Sequence, residues 1–492
     1  MYFSIDWGTG YNPKDYLYGV ATMPDGGAIA VGSTTPGGAN KPVVVRFDAA
    51  GGVVWTHVAA SGNFDGYGIG VAARPDGGAV AVVSSFWGGG GHGYELRFLR
   101  FDPAGKVVVE TTHKTAAYWH DLPRRIDRVH VSGQDRVLVA AEGHDNFGDN
   151  GGYSVVVFEE LTGNPVQEHA FLPGNANGAQ HAEDILGYGD GDFVVVGWNS
   201  GPSSPDASGA GPNALGDRDF SVLHYGQSAP HKREMRFGGK NKDEAYAVER
   251  TADGGIVVVG VTYSTGTFNG DILVVRFDAA WNVAWQKVLG GDSLDAAYAM
   301  KVRPAGGIVL AGQVNIPFVG PTGSLLELAP NGDLAWQRTG KPMTSNAYLF
   351  GVDLRGDGGL FVVGNQSYND GTLHRTDPWG NSTCKDSGSC VKDGCDDGNP
   401  CTLDACDATG GCSKKAATGV CDDGNACTTG EACTPQSACA GGAAVVCSDG
   451  DLCTADKCDA KAASPDKACV YTAYPQGFAC AVGKTCQAGA CQ

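Results

Sequence analysis

The chain has 492 residues and a formal net charge of −19, and 76 of its residues are glycine. This length exceeds what one hydrophobic core usually supports, so we expect at least two domains or an array of repeats. The acidic balance argues against nucleic acid and anionic membrane surfaces as partners, because both repel a negatively charged protein.

The first ten residues, MYFSIDWGTG, read as a short β-strand with one tryptophan followed by glycine. The same kind of segment returns as VVWTHVAASG (53–62) and VAWQKVLGG (283–291), where it ends a repeat. The opening residues lack the basic and apolar regions of a secretory leader, so we expect that a leader was removed or lies upstream. No run approaches the ~18 apolar residues that span a bilayer, so we expect no direct membrane insertion.

One pattern returns along residues 1–381, and its clearest copy is AYAVERTADGGIVVVGVTYSTGTFNGDILVVRFDAAWNVAWQKVLGG (245–291). We interpret this copy as four strands, AYAVERT, IVVVGVT, DILVVRFD and VAWQKV, with the DGG turn between the first two. Short β-rich runs at even intervals indicate a sandwich, a barrel or a propeller. A period of about 50 residues favours the propeller.

The turns give each copy a fixed reference position, and there are seven of them: Asp25, Asp76, Gln134, Asp190, Asp253, Ala305 and Asp357. An apolar residue stands five positions before each one: Val20, Val71, Val129, Ile185, Val248, Met300 and Val352. Glycine stands seven positions after five of them: Gly32, Gly197, Gly260, Gly312 and Gly364. The agreement predicts seven four-stranded blades.

The last copy, residues 346–381, supplies only three strands. Trp7 precedes Asp25 by nearly the same interval as Trp55, Trp285 and Trp336 precede their next turns. We therefore predict that the N-terminal strand completes the last blade and closes the ring, which removes an open sheet edge. The predicted fold is an all-β, seven-bladed propeller over residues 1–381.

This organisation resembles the bacterial secreted β-propeller repeat proteins. The matching stretches are WQKVLGGDSLDAAYAMKVRPAGGIVLAG (285–312) and DEAYAVERTADGGIVVVG (243–260). The resemblance implies a propeller and an extracellular setting. It implies no single activity, because propellers carry enzymes, lectins and docking scaffolds alike.

The second predicted domain, residues 382–492, holds all 17 cysteines: Cys384, Cys390, Cys395, Cys401, Cys406, Cys412, Cys421, Cys427, Cys433, Cys439, Cys447, Cys453, Cys458, Cys469, Cys480, Cys486 and Cys491. It repeats CDDGNPCTLDAC (395–406), CDDGNACTTGEAC (421–433) and CSDGDLCTADKC (447–458). These units carry few apolar side chains, so we expect disulfides to hold them. Zinc is the competing interpretation, but zinc ligands prefer closer pairs. Because 17 is odd, one cysteine is free, bonded between chains, or paired beyond Gln492.

The DDGNPCT-x-D-x-C pattern of the tail resembles the cysteine-rich stalks of myxobacterial-type surface proteins. The resemblance implies a globular head on a stiff, mostly irregular tether. We therefore expect the tail to extend away from the propeller.

Acidic clusters in the tail are candidate calcium ligands: Asp396, Asp397, Asn399, Asp404, Asp422, Asp423, Asn425, Asp449, Asp451 and Asp456. Calcium takes six to eight oxygens from a flexible loop, and each repeat offers several. The competing interpretation is a turn, in which Asp and Asn side chains accept hydrogen bonds from nearby backbone.

Three loops between second and third strands depart from the common pattern, at residues 84–94, 142–152 and 198–219. Since ligand sites in repeat proteins favour such loops, their candidate binding residues are Trp87, His92, His144, Asp145, Asn146 and Trp198. Aromatic side chains with polar neighbours suit sugar stacking or a metal site. The alternative is a glycine-rich surface without a ligand.

Asp15, Asp243 and Asp295 share one column, ten positions before the turns. They predict either a carboxylate ring at the channel mouth or caps that accept hydrogen bonds from backbone between blades. The repetition favours caps.

The chain contains no G-x-S-x-G elbow, no H-E-x-x-H and no Walker-type loop, so we expect a protein that is not an enzyme. The leading prediction is an extracellular or cell-surface binding or structural protein, acting in adhesion, recognition or filament assembly. Expected partners are other surface proteins, glycans or copies of the chain itself. The alternative is a secreted polysaccharide hydrolase or lyase, because catalytic carboxylates from separate blades leave no local motif.

Overall fold

The computed structural model describes residues 2–5, 15–35, 40–59, 66–87, 93–115, 120–144, 151–171, 180–200, 217–227, 231–265, 269–291, 293–316, 320–339, 347–366, 370–376, 378, 380, 401–406, 412–416, 425–429, 432–434, 438–440, 443–445, 447–459, 468–481 and 484–492. Within these ranges every regular element is a β-strand. They accordingly hold no helix with the length and apolar character to span a bilayer.

The strands up to residue 376 follow one another in short, evenly spaced runs. In chain order they are β1 (Tyr2–Ile5), β2 (Tyr16–Thr22), β3 (Ala28–Thr34), β4 (Lys41–Phe47), β5 (Val53–Val58), β6 (Gly68–Ala73), β7 (Ala79–Trp87), β8 (Gly93–Phe101), β9 (Val107–His113), β10 (His120–Val131), β11 (Gln134–His144), β12 (Gly152–Glu159), β13 (Pro165–Phe171), β14 (Gln180–Gly187), β15 (Phe193–Asn199), β16 (Asp219–Tyr225), β17 (His231–Phe237), β18 (Asp243–Arg250), β19 (Ile256–Thr262), β20 (Asp271–Phe277), β21 (Val283–Leu289), β22 (Asp295–Val302), β23 (Ile308–Ile316), β24 (Gly320–Leu328), β25 (Leu334–Thr339), β26 (Tyr348–Leu354), β27 (Leu360–Gln366) and β28 (Asp370–Thr376).

In the described part of the chain these strands form seven four-stranded antiparallel sheets. Six sheets use four consecutive strands each, from β2–β5 to β22–β25. The remaining sheet has the order β1-β28-β27-β26, and Tyr2 pairs with His374 at its edge. The first strand of each sheet contacts the first strand of the next sheet, and β26 contacts β2. The fold is therefore all-β and of the propeller type, as the sequence predicts.

The core lies between the sheets. The second strands are buried on both faces, and every residue of Ile256–Thr262 is buried. One apolar cluster packs Leu17 and Phe47 of the first sheet against Phe361 and Leu373 of the β26–β28 sheet. Continuous Val and Ile runs suit strands of this kind, because both faces leave water when neighbouring sheets stack.

The DGG turns form as expected. The backbone N–H of Gly27 donates to the Asp25 carboxylate at 3.0 Å, and Gly26 has a φ of +83°. Arg46 binds the same carboxylate at 2.5 Å. Because glycine adopts positive φ without a Cβ clash, the tripeptide fixes the hairpin between β2 and β3.

One predicted position is wrong in the third sheet. Val131 pairs directly with Gln134, so this hairpin has a tight two-residue turn. The shorter turn shifts β10 relative to the first strands of the other sheets. Ile126, and not Val129, therefore joins Val20, Val71 and their counterparts in lining the central channel.

The tail contains short strands and cystines. Its strands are β29 (Thr402–Cys406), β30 (Cys412–Ala416), β31 (Thr428–Thr429), β32 (Ala432–Cys433), β33 (Cys439–Ala440), β34 (Ala443–Ala444), β35 (Thr454–Cys458), β36 (Cys469–Ala473), β37 (Ala479–Ala481), β38 (Lys484–Gln487) and β39 (Ala490–Cys491). Because residues 381–400 lie outside the described ranges, the domain boundary at 381/382 stays a prediction.

Disulfides hold the tail, as predicted, and five pairs are described: Cys401–Cys433, Cys427–Cys458, Cys447–Cys469, Cys453–Cys486 and Cys480–Cys491. Cys439 is also disulfide-bonded. Two pairs join the second cysteine of one repeat to the third cysteine of the next, so neighbouring repeats are linked to each other. The side chains of Cys406 and Cys412, and all of Cys384, Cys390, Cys395 and Cys421, lie outside the described residues.

The end of the tail does not extend away from the propeller. Phe478 is fully buried in a cluster with Phe237 and Phe277 of neighbouring sheets. The side-chain amide of Gln286 donates to the carbonyl oxygen of Leu452 at 2.9 Å. The expectation of a free stalk is therefore wrong for the described residues of this last part, because it carries aromatic side chains that gain by leaving water.

Candidate ligand-binding site at the mouth of the channel

The site begins with a β-bulge in the first strand of each of the seven described four-stranded sheets. One residue of each first strand has no partner on the second strand, and glycine faces the bulge in five sheets. A Cβ on Gly260 would lie 1.9 Å from the carbonyl oxygen of Glu244, so the close approach requires glycine. The glycine column of the sequence thus marks a backbone distortion, and bulges of this kind redirect side chains.

The residues released by the bulges are Tyr18, Ile69, Arg124, Glu183, Tyr246, Tyr298 and Phe350. We call these seven residues the ring. They belong to the innermost strands, which contact one another around the channel. The ring lies on the face where first strands begin and second strands end.

One side of the ring is an arc of four aromatic side chains from consecutive sheets. The ring centroids of Tyr246 and Tyr298 are 5.4 Å apart, those of Tyr298 and Phe350 are 5.6 Å apart, and those of Phe350 and Tyr18 are 5.5 Å apart. Neighbouring planes are tilted by 46–49°. All four side chains are half-buried, so the arc presents partly exposed aromatic surface.

The opposite side of the ring is charged. The Arg124 guanidinium pairs with Glu142 and lies 3.9 Å from Glu183. His181 binds both carboxylates, through Nε2 to Glu142 and through Nδ1 to Glu183 at 3.1 Å. Two cationic side chains thus compensate two carboxylates.

The shifted pKa values follow from this pairing. Burial alone would lower the pKa of His181, but its hydrogen bonds to Glu142 and Glu183 raise it above the ordinary value. Burial alone would raise the pKa of Glu183, but Arg124 and His181 hold it below its ordinary value. The two shifts favour a charged imidazole beside an ionised carboxylate.

Trp198 extends the charged side. Its ring stacks on His181 at 4.9 Å, and the Arg218 guanidinium lies over it at 4.1 Å. Arg218 pairs with Glu244 at 2.5 Å, and Tyr246 donates its hydroxyl to Glu244 at 2.6 Å. Stacking and hydrogen bonds therefore connect the charged side to the aromatic arc.

Arg125 forms the floor of the site. Its guanidinium donates to the carbonyl oxygens of Phe350 at 2.8 Å, Tyr18 at 3.2 Å and Tyr298 at 3.4 Å. These carbonyls belong to three residues of the aromatic arc, in three other sheets. Arg125 therefore crosses the channel and fixes the backbone from which the arc projects.

Another space lies below this floor, between the first strands of the sheets. The cavity measures about 160 Å³ and is lined by first-strand residues such as Asp127, Asp184 and Lys301. Burial raises the pKa of Asp184 to about 7 and that of Asp127 to about 6. Asp184 accepts the backbone N–H of Val248 at 2.9 Å, so it joins two neighbouring sheets.

Of the loop residues predicted as ligands, the structure describes the side chain of Trp198 alone, and it places this residue beside the ring. Trp87 and His144 end strands β7 and β11 on the same face, but their side chains lie outside the described residues. His92, Asp145 and Asn146 lie outside them entirely. Their role as ligands stays a prediction.

Three described members of the tail's acidic clusters, Asn425, Asp449 and Asp451, accept backbone N–H groups two residues further on, whereas Asp456 lies in β35. Asn425 accepts the N–H of Cys427 at 3.0 Å, and Asp451 accepts that of Cys453 at 2.8 Å. Asp449 accepts the N–H of Asp451 and, like Asp456, the hydroxyl of Thr454. This is the geometry of the turn interpretation. The candidates Asp396, Asp397, Asn399, Asp422, Asp423 and the side chain of Asp404 lie outside the described residues.

In the described ranges, one group of three metal-type ligand atoms lies close together, at Cys453, Cys480 and Cys491. All three sulfurs belong to disulfides, so they are not thiolate ligands. A calcium ion in the tail stays a prediction that this geometry does not support.

The aspartate column has the geometry of caps. Asp243 accepts the N–H of Gly239 at 2.9 Å and the hydroxyl of Ser264 at 2.8 Å. Asp295 accepts the N–H of Gly291 at 2.8 Å. Each carboxylate closes the connection into its own first strand.

Sequence reasoning missed the ring, although a signal was present. Tyr18, Tyr246, Tyr298 and Phe350 each stand two positions before the apolar column of their repeat. The charged partners were harder to find, because Glu142 and His181 come from different sheets and share no local motif.

Comparisons with known proteins cover the two parts of the chain differently. A family model described as Dictyostelium (slime mold) repeat matches residues 394–415, 420–430 and 446–462, all in the cysteine-rich tail. No curated protein sequence matches the chain.

Several solved structures are similar at low identity. A protein of unknown function from Bacteroides caccae has 14% identity and a TM-score of 0.38, over 68% of this chain and 97% of that one. Sqt1 from Chaetomium thermophilum has 12% identity and a TM-score of 0.43, over 78% of this chain and 87% of that one. The β-propeller domain of the Trilobed protease from Pyrococcus furiosus has 10% identity and a TM-score of 0.42, over 75% of this chain and 95% of that one. We transfer no function from them.

Proposed function

We propose that the protein is an extracellular or cell-surface recognition protein that binds its partner at the mouth of the propeller channel. The observation that carries the proposal is the two-sided ring, with an aromatic arc facing paired charged groups. Aromatic surfaces with a few oriented polar groups are typical of binding sites. Adhesion and the assembly of a surface structure are the processes that such a site would serve.

The proposed architecture is a seven-bladed propeller closed by the N-terminal strand. The pairing of Tyr2 with His374 and the cluster joining Leu17 to Phe361 support this closure. A closed propeller holds the seven bulges in register. The seven ring residues therefore keep fixed positions around the channel.

An extracellular setting is supported by the disulfides of the tail. Cystine-rich repeats persist in oxidising compartments and are reduced in the cytosol. The last part of the tail packs on the propeller and stabilises it. The preceding repeats serve as a spacer.

A second candidate is a polysaccharide hydrolase or lyase. The convergence of His181, Glu142 and Glu183 beside Arg124 favours it, because such clusters carry acid–base catalysis. A glycosidase, however, needs a carboxylic acid with a raised pKa, whereas that of Glu183 is lowered. The raised carboxyl of Asp184 lies below the Arg125 floor.

The test is to probe arrays of glycans and of extracellular proteins with the full chain. We expect binding that weakens in Tyr298→Leu, and no release of reducing ends or unsaturated sugars from the bound polysaccharides. Product release would favour the enzyme. Absence of binding on both arrays would overturn the recognition function.

A further inference from the structure

We propose that the mouth of the channel binds the terminal sugar of a neutral glycan, end-on. This inference rests on the proposed function and names its ligand class. Three features support it: the aromatic arc, the paired charges on the opposite side, and Arg125 across the channel.

The arc supplies apolar contact of the right kind. Four half-buried rings from consecutive sheets meet at 5.4–5.6 Å with tilts of 46–49°, so their exposed parts surround a common space. A pyranose has apolar C–H faces with hydroxyl groups at its rim. The C–H faces pack on aromatic rings, and the hydroxyls require hydrogen-bonding partners at the rim.

The charged side offers such partners without an excess of charge. Arg124 and His181 face Glu142 and Glu183, and Arg218 faces Glu244. Both donors and acceptors are present, and each cation has a carboxylate beside it. A charged ligand would have to break one of these pairs and leave a partly buried charge without a partner, which costs free energy. A neutral polyol bridges the pairs without that cost.

The floor decides how the ligand enters. Arg125 reaches across the channel to the backbone carbonyls of Tyr18, Tyr298 and Phe350, which carry three of the four aromatic rings. Its side chain therefore obstructs the passage of a glycan chain through the channel at this level. A site obstructed on its inner side takes the end of a chain, so one sugar residue makes most of the contacts.

The experiment uses the full chain and saturation-transfer NMR with methyl glycosides of glucose, galactose, mannose, xylose and N-acetylglucosamine. Because a terminal sugar makes most of the contacts, at least one monosaccharide glycoside should bind within about tenfold of its oligosaccharide. The charged analogues, methyl glucuronide and methyl glucosaminide, should bind at least several-fold more weakly than the neutral glycoside.

Tyr298→Leu and Phe350→Leu should each weaken glycoside binding by about tenfold, since each removes a stacking ring. Tyr471→Ala is the matched control, because Tyr471 is an exposed aromatic residue in the tail. Melting temperatures of the variants show whether each still folds, and two independent ring variants keep the test usable if one does not.

The inference would be overturned by no binding of any neutral glycoside, by binding that requires several linked sugars, or by binding that is unchanged in both Tyr298→Leu and Phe350→Leu. Preferential binding of tetramethylammonium, a cation that aromatic side chains also bind, would overturn it too. A protein ligand that depends on Tyr298 would also overturn it, while leaving the recognition function intact. The recognition function fails separately, if neither array contains a ligand.

Discussion

Arg125 donates a hydrogen bond to the carbonyl oxygen of Phe350 at 2.8 Å, although the two residues are 225 positions apart. The same guanidinium reaches two further sheets, so one side chain connects four of them across the channel. Arg125 therefore stabilises the centre of the fold, because it links first strands that otherwise contact only their neighbours.

Replacing Arg125 by methionine should lower the free energy of unfolding by about 1–3 kcal/mol, because three carbonyl oxygens lose a charged donor. Urea unfolding followed by tryptophan fluorescence measures the change. Arg233→Met is the control, since Arg233 is an exposed residue of β17. An equal loss of unfolding free energy in the two variants would contradict a stabilising role of Arg125 across the channel.

Removing residues 1–10 should destabilise the whole propeller. The deletion takes away the strand that pairs with Gly371–His374 and leaves β28 as an open edge. We expect a lower melting temperature and self-association in size-exclusion chromatography. A peptide of residues 1–10 added to the shortened chain should restore the melting temperature, whereas a scrambled peptide should not. An unchanged melting temperature would refute closure by this strand.

The unfolding free energy should fall as pH rises from about 4 to about 7, in part because of Asp243. Burial raises the pKa of this carboxyl to about 7 in the folded protein, so the folded state holds the proton to higher pH than the unfolded chain does. Asp243→Asn should remove this part of the slope, measured by urea unfolding across the pH range.

Asp253→Asn is the control, because the pH dependence that Asp253 contributes to the unfolding free energy has the opposite sign. Hydrogen bonds from Thr251 and Arg276 lower the pKa of Asp253 to about 2. Its stabilising contribution is therefore present above about pH 4 and is lost as the pH falls towards 2. Identical pH profiles for the two variants would show that neither carboxyl behaves as described.

Phe478→Ala should release the end of the tail. This ring is fully buried between sheets, and removing it should cost about 3–5 kcal/mol of docking free energy. Amide hydrogen exchange at Ala479, which donates to the Gly238 carbonyl at 3.2 Å, reports the loss. Tyr471→Ala should leave the exchange unchanged, because its side chain is 47% exposed. Fast exchange at Ala479 in the unmodified chain would contradict docking.

The repeat register predicts one further disulfide. Cys447, the first cysteine of its repeat, is bonded to Cys469, the next cysteine after that repeat, and Cys421 and Cys439 hold the same two positions around the preceding repeat. By the same positions we expect Cys439, which is bonded, to pair with Cys421. Peptide mapping without reduction should find the two in one fragment. A different partner for Cys439 would show that the repeats are not equivalent.

The sequence was sufficient to predict an all-β fold of the propeller type, because its pattern is repetitive. The DGG turns and the glycine column recur in phase, and each has a local cause, a positive φ at Gly26 or a close carbonyl at Gly260. The exception was the third sheet, where a two-residue turn shifted the strand and moved the channel-lining role from Val129 to Ile126.

The site was less predictable for the opposite reason. Trp198 could be chosen because it departs from the pattern, but its partners His181 and Arg218 follow no shared spacing. The network of Arg124, Glu142 and His181 spans separate sheets, so only their arrangement around the channel brings it together. The packing of the tail was missed because Phe478 is the only phenylalanine of the cysteine-rich sequence and no repeated pattern marks it.

The linkage between tail repeats has a mechanical consequence. The bond from Cys401 to Cys433 and the bond from Cys427 to Cys458 overlap along the chain. A protease that cuts anywhere between residues 427 and 433 leaves fragments that both cystines still tie together. Such a nicked molecule would migrate as two pieces on a gel only after a thiol is added, so a cut there would not shed the propeller from whatever holds the other end.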